Sequence, residues 1–229
     1  MLKLIGRLVV LACAGLAGAA HASVIFYTDR TSFETALSSY TLIDFEGIVA
    51  DIGTTVNPST LVEVIGGVTF SVSSGAIAVS GKNGQFMQDA PFNSAILFSN
   101  NSTPITADLT SAGPGFTAVG AFFGNIHDAG DTAVLTLLGS NGILDIRTIV
   151  AADMGAGTPS NYFGWTVFGD IITGVKYDLI GGFVNTGDFD GIDDFVFGIA
   201  SATPAPAPAT IALFGLGLAG LGWSRRKAA

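Results

Sequence analysis

"AVLTLLGSNGILDIRTIV" (residues 133–150) is the stretch on which the fold turns. Ala133–Leu138 and Ile143–Val150 are rich in aliphatic and β-branched residues. Ser140-Asn141-Gly142 between them supplies the polar, glycine-containing turn of a β-hairpin. Neither run is long enough for an amphipathic helix. Outward from this hairpin the same pattern repeats. Strands are expected near Val68–Val72, Ile77–Val79, Ala95–Phe98, Ile105–Leu109, Thr117–Phe123, Tyr162–Phe168, Ile171–Asp178 and Phe195–Ile199. Turn signals fall between them at Gly66-Gly67, Asn83-Gly84, Gly113-Pro114-Gly115 and Gly181-Gly182. About ten short strands without long helical patterns predict an all-β chain, a β-sandwich of jelly-roll type. A β-propeller would need a repeat of about 40–50 residues, and none is found.

Before these strands lies "VIFYTDRTSFETALSSYTLIDFEGI" (residues 24–48). It starts as a strand. Thr31-x-x-Glu34 is a capping-box pattern, which predicts a short helix running to about Ser39 with Phe33 and Leu37 inward. Thr41–Phe45 then alternates as a strand into Asp44-Phe45-Glu46-Gly47.

The two ends differ from the middle. Lys3 and Arg7, an uncharged run from Leu8 to Ala20, and Ala20-His21-Ala22 form the three parts of a secretory signal peptide. Cleavage is expected between Ala22 and Ser23. The only cysteine, Cys13, would leave with that peptide, so the expected mature chain uses no disulfide, no thiolate metal site and no cysteine nucleophile. At the other end, Ala209 to Trp223 is uncharged and apolar, between a linker with Pro204, Pro206 and Pro208 and the cations Arg225, Arg226 and Lys227. Cations beyond an apolar span mark the cytoplasmic side, and Trp223 suits the interface. Fifteen helical residues reach about 22 Å, short of a hydrocarbon core of about 30 Å, so this is a marginal anchor. The expected organisation is a signal peptide (1–22), a β-sandwich ectodomain (23–200), a Pro/Ala linker (201–208), a transmembrane helix (209–223) and a basic cytoplasmic tail (224–229). Gly215, Gly217 and Gly220 fit G-x-G-x-x-G, but no second strand and no acid follow, so they do not form a dinucleotide fingerprint.

Pro206-Ala207-Pro208, the run Ala209-Thr210-Ile211-Ala212-Leu213-Phe214-Gly215-Leu216-Gly217-Leu218-Ala219-Gly220-Leu221-Gly222 and Arg225-Arg226 together resemble the PEP-CTERM sorting signal. This tail has also been labelled an ice-binding protein C-terminal domain, a label that says nothing about ice. The resemblance covers about 24 residues. It implies export in a Gram-negative-type bacterium, transient anchoring in the inner membrane, recognition by an exosortase and an association with exopolysaccharide. The glutamate usual between the two prolines is Ala207 here. The "DFEG" layout of the N-terminal part also resembles the start of PEP-CTERM ectodomains and implies no activity.

Charge narrows the function of the middle. Residues 23–203 hold all 18 acids and only Arg30, Lys82, Arg147 and Lys176, a balance of −14. Such a surface excludes nucleic acid, whose phosphates require cations. His127 is the one histidine after the signal peptide. A Ser/His/Asp site would have to use it with Asp128 or Asp131, and "GNIHDAGD" has no nucleophile elbow. The densest cluster is "TGDFDGIDDFVFG" (residues 186–198), with Asp188, Asp190, Asp193 and Asp194. The spacing D-x-D-G-x-x-D suits a hard cation such as Ca²⁺, which takes 6–8 oxygen ligands. The stretch resembles the calcium loop of integrin-type propeller repeats, with Thr186 where those carry an acid. Asp188, Asp190 and Asp194 are the expected calcium ligands, with Glu46 joining if first and last strands pair. A solvated acidic turn is the other reading.

Two classes of function compete. One is an exported, non-catalytic cell-surface or matrix protein, whose partners are the secretion machinery, an exosortase and the membrane through 209–223. The other is a carbohydrate-binding module for exopolysaccharide, with Tyr162, Trp165 and Tyr177 as candidate stacking aromatics, although Trp165 also suits a core. A secreted hydrolase is third.

Overall fold

The computed structural model describes residues 22–46, 48, 55–56, 61–80, 95–99, 103–124, 132–150, 160–180 and 190–202. The expected signal peptide up to residue 21, the linker and apolar tail from 203, and the loops carrying His127, Asp128, Asp131 and Asp188 lie outside the described residues.

The hairpin that opened the sequence is present. β10 (Thr132–Gly139) and β11 (Gly142–Val150) pair antiparallel around Ser140-Asn141, with Gly142 at φ +119°. That dihedral lies where side chains with a Cβ are strained, so the glycine is required by the turn. The pairing then nests outward. β9 (Ala118–Gly124) pairs β12 (Ser160–Phe168), β8 (Ile105–Asp108) pairs β13 (Ile172–Ile180), and β7 (Ile96–Ser99) pairs β14 (Gly191–Ala200). Successive pairs alternate between two sheets. The first sheet also contains β1 (Ser23–Tyr27), β2 (Leu37–Ile43), β3 (Thr55–Val56) and β6 (Ile77–Ser80), in the order β1-β12-β9-β14-β7-β6-β3 with β2 on β14. The second runs β11-β10-β13-β8-β5-β4, adding β4 (Val62–Ile65) and β5 (Val68–Ser71). The described chain is therefore all-β, a sandwich of two antiparallel sheets with one short helix.

Strand periodicity builds the core, because alternate side chains face the opposite sheet. β10 contributes Ala133, Leu135 and Leu137, β13 contributes Val175, Tyr177 and Leu179, and β9 contributes Val119, Ala121 and Phe123. Each large apolar side chain buried there stabilises the fold by about 1.5–3 kcal/mol. A smaller cluster sits on the outer face of the first sheet, where Phe33 packs against Ala118, Tyr162 and Val196.

The N-terminal segment departs from expectation. α1 spans Arg30–Thr35 and is capped by Asp29, whose side chain accepts the Ser32 N–H at 2.7 Å. Thr31 lies inside the helix, and Leu37 begins β2 rather than a further helical turn. Pairing with β14, Phe195 opposite Ile43, outweighs local helix propensity. Phe33 anchors the helix over Gly164, where an added Cβ would lie 2.7 Å from its ring. The backbone approach needs glycine there. Among the described residues no helix is long and apolar enough to cross a membrane.

Candidate functional site

The acidic stretch of 186–198 enters β14, and the strand divides it. Gly191, Ile192 and Asp193 pair with Gly124, Phe123 and Phe122, after which the register shifts and Val196 faces Gly120. One extra residue is accommodated there. Asp194 holds it with φ +46°, a left-handed conformation that aspartate tolerates better than most residues. A bulge reverses the alternation of a strand. Ile192 points into the main core before it, and Phe195 and Phe197 point there after it.

Asp190, just before the strand, is fully buried. Its Oδ1 accepts the N–H of Leu179 at 3.3 Å, two residues beyond the Tyr177–Ile105 pair that ends β13–β8 contact. Its Oδ2 has no hydrogen-bond partner. Burial pushes this carboxyl up to about 8; the Leu179 N–H opposes the rise, the Asp178 charge adds to it and Lys176 opposes it. Lys176 is itself engaged with Asp178, Nζ to Oδ2 at 3.2 Å. A buried carboxyl that keeps its proton avoids the cost of an unpaired interior charge.

Asp194 has a different setting. Its carboxylate pairs with the Arg30 guanidinium on the outer face, and Arg30 Nε also donates to Glu34 Oε1 at 2.7 Å, one helical turn on. Arg30 lies 5.9 Å from the Phe122 ring centroid. Burial works against the guanidinium's charge, but the Glu34 and Asp194 interactions outweigh it and raise its pKa. Beneath them, Tyr162 packs edge-on to Phe122 at 5.2 Å and tilted against Phe33 at 5.6 Å, with its hydroxyl buried and unpartnered. Burial first, then the Glu34 charge, holds that hydroxyl in its neutral form. Tyr40 on β2 is 49% exposed and electrostatically felt by Tyr162.

The expected calcium ligands are therefore not gathered among the described residues. Asp190 faces the second sheet, Asp194 faces Arg30, and Asp188 lies outside the described residues. Glu46 accepts the N–H of Ala95 at 2.9 Å, although β2 and β14 do pair. Among the described residues no three His, Cys, Asp or Glu side chains come together as metal ligands. The three candidate stacking aromatics are all buried, so none presents a ring face to solvent. Trp165 Nε1 donates to Asp145 Oδ2 at 3.0 Å, and the Tyr177 hydroxyl donates to the Gly124 carbonyl. Ser23, the expected first residue after cleavage, opens β1 opposite Phe168. A cleft of ≈180 Å³ lies beside β8, lined by Thr106, Asp108, Thr110, Leu138 and Thr173. It is smaller than the clefts of about 300–1,000 Å³ that hold small ligands. Sequence reasoning missed the Arg30–Glu34–Asp194 network. The i,i+4 spacing of Arg30 and Glu34 was its visible half; the half supplied by β14 comes from 164 residues away.

Residues 204–227 match the PEP-CTERM protein-sorting motif, which makes the tail a protein-sorting signal and the chain an exported, sorted protein. No curated protein matches the chain. Two solved structures from Clostridium perfringens are similar to it. One comprises the CBM51-2 and INT domains of ZmpB, at 11% identity and TM-score 0.34, over 57% of this chain and 29% of that chain. The other is CBM51 of GH95 in complex with methyl-galactose, at 13% identity and TM-score 0.35, over 63% of this chain and 99% of that chain.

Proposed function

We propose that this protein is an exosortase substrate that resides at the cell surface or in an exopolysaccharide matrix of a Gram-negative-type bacterium. Its sandwich, of jelly-roll type, acts as a non-catalytic structural module. The observation that carries this reading is the sorting motif at 204–227. The jelly-roll assignment is supported by the nesting of β10–β11, β9–β12, β8–β13 and β7–β14 pairs. In this reading 209–223 pauses export in the inner membrane with Arg225, Arg226 and Lys227 in the cytoplasm, until a protease cuts near Pro206–Pro208. A short apolar helix inserts by thinning the bilayer locally and letting its cations snorkel.

Fractionation tests it. Deleting 206–229, or changing Gly217 to Asp, is expected to release the protein from the membrane, since a mid-span charge costs about 2.5–3.5 kcal/mol. Mass spectrometry of the released parent should give Ser23 at one end and no Arg225-Arg226 at the other. Retention of both variants in the membrane would sink the anchor, and an exported chain with its basic end intact would sink processing. A carbohydrate-binding ectodomain is the second reading. Exposed Tyr40, which interacts electrostatically with Tyr162 beneath the Arg30–Glu34–Asp194 network, favours it, because ring faces and charged hydrogen-bonding groups together suit sugars. A glycan array with and without Tyr40→Ala would decide.

A further inference from the structure

The first and last strands of the sandwich meet the rest of the chain at one end. β1 begins with Ser23 opposite Phe168, the last residue of β12. Thr166 of β12 and Gly198 of β14 both face Ala118, the first residue of β9. Ser23 and Ala200 therefore lie at the same end. The Ser201 N–H then donates to the Ala36 carbonyl at 2.8 Å, which holds the chain there up to residue 201. β12 and β9 stand between β1 and β14. At about 4.8 Å per strand spacing, the two exits are about 14 Å apart. From Ala202 to Ala209, where the uncharged span begins, the backbone reaches at most about 25 Å.

The two ends of the sandwich differ in charge. The exit end is closed by residues 36, 66–67, 109–117, 140–141 and 169–171, and Asp170 is the only charged residue in these connections. Its carboxylate is engaged: Ser140 Oγ donates to it at 2.5 Å and the Ile171 N–H at 2.7 Å. Asp108, which ends β8 nearby, accepts the Thr110 N–H at 2.8 Å. Apolar groups stand among them. Ile143, near the start of β11, is 61% exposed, Ile171 is 37% exposed, and Pro114 is exposed. At the far end, connections 125–131, 151–159 and 181–189 carry Asp128, Asp131, Asp153 and Asp188 and neither lysine nor arginine. Connections 72–76 and 100–104 add no charge there.

We propose that the membrane-held precursor stands end-on to the bilayer: the end formed by Gly113-Pro114-Gly115, Ser140-Asn141 and Gly169–Ile171 meets the lipid headgroups, and the acidic end points away. This rests on the reading of 209–223 as an inner-membrane anchor. Anionic headgroups repel acids within about a Debye length, which is ~8–10 Å at ordinary ionic strength, so the two ends are not equivalent at such a surface. Ile143, Ile171 and Pro114 carry no charge to be repelled. The tether keeps their end close to the bilayer. A signal peptide still joined to Ser23 holds the same end at a second point, so the orientation is set before cleavage. Pro206–Pro208 then lies between the sandwich and the bilayer, where a membrane-embedded protease works.

The test uses the full chain with Cys13→Ser, reconstituted in vesicles of phosphatidylcholine and phosphatidylglycerol that carry nitroxide on headgroups of both leaflets. Bimane is attached to Asn141→Cys at the exit end or to Ile180→Cys, which ends β13 about 26 Å further up the strand. Both positions are exposed, so the fold tolerates the label. Flotation of the vesicles reports anchoring, and nitroxide quenching reports orientation. Quenching is expected to be severalfold stronger at 141 than at 180. Adding Pro114→Glu and Ile171→Glu to the Asn141→Cys chain is expected to reduce quenching in these vesicles, to leave it unchanged in phosphatidylcholine alone, and to lose its effect at high salt. Equal quenching at 141 and 180 in a chain that floats overturns the orientation and leaves the anchor standing. A charged variant quenched as strongly as its parent overturns the electrostatic basis of the orientation. A chain that does not float overturns both the orientation and the anchor.

Discussion

Asp190 and Asp194 stand four residues apart in one acidic motif, and the fold treats them in opposite ways. The first is buried toward the second sheet with one oxygen unpartnered. The second is half-exposed on the outer face and bound to Arg30. The extra residue taken up at Asp193–Asp194 separates them, because a bulge exchanges the two faces of a strand. A spacing pattern such as D-x-D-G-x-x-D presumes a continuous loop around one point. Once the backbone shifts register, equal spacing no longer means a shared site. Asp190 is tolerated through protonation, whereas Asp194 serves through its charge and its backbone.

The strongest way to break this contrast is to remove the proton requirement. An unfolded aspartate titrates near 3.8, and Asp190 in the folded chain titrates at about 8. Below pH 4 both states hold the proton and Asp190 makes no difference to stability. Between about 4 and about 8 only the unfolded chain ionises, so stability falls as pH rises, and above 8 the loss is complete. Each tenfold change in proton affinity is worth about 1.4 kcal/mol, so the full swing is on the order of 6 kcal/mol. Asp190→Asn is expected to abolish this slope in denaturant melts from pH 4 to 9 and to be the more stable chain at pH 9. A parent whose stability is flat over that range would contradict the buried, protonated carboxyl. If a cation such as Ca²⁺ neutralises Asp190 instead of a proton, chelator is expected to lower the melting temperature of the parent and not of the variant.

A medium effect is expected at the bulge. Asp194→Ala removes the Arg30 partner and also places an alanine at φ +46°, where aspartate has local hydrogen-bonding compensation and alanine has none. The loss is expected to be about 1–2 kcal/mol by chemical denaturation. An unchanged midpoint would mean that the bulge relaxes and that its position is not set by residue 194.

The contrast also marks what could be read from the chain. All ten strands expected from Val68 onward appear, as β5 to β14, because runs such as "AVLTLLG" carry their period locally and glycine turns bound them. Only the second half of β2 was legible, in the alternation of Thr41–Phe45; Leu37–Ser39 was read as the end of the helix and becomes strand only by pairing with β14, about 160 residues on. Glu34 was read as a capping partner and is an ion-pair partner of Arg30, because the cap is Asp29. The sorting motif was legible since its prolines, apolar run and arginines are contiguous. Tyr162, Trp165 and Tyr177 were not separable from exposed aromatics, as a ring's burial is decided by what packs over it: the inter-sheet core for Trp165 and Tyr177, and Phe33 of the helix for Tyr162. Trp165 is buried against Phe26, a residue of β1, and held by Asp145 of β11.

The smallest effect gives the sharpest test of why Asp194 is there. Asn shares aspartate's tolerance of the left-handed region, so Asp194→Asn keeps the backbone and deletes only the charge. Arg30 would still have Glu34 at 2.7 Å and the Phe122 face. A partly exposed ion pair is worth about 0.2–1 kcal/mol, so the expected loss is about 0.5 kcal/mol. Screening should shrink that difference as salt rises from about 0.05 to about 1 M, over which the Debye length falls from above 10 Å to about 3 Å. The alanine deficit should shrink less, because its backbone part does not respond to salt. If Asn and Ala cost the same and both deficits vanish in salt, Asp194 acts through charge alone and the bulge imposes no conformational demand. If Asn costs nothing at any salt, the Arg30 pair is incidental and the strand's change of face is the whole reason that position 194 carries a residue at home in the left-handed region.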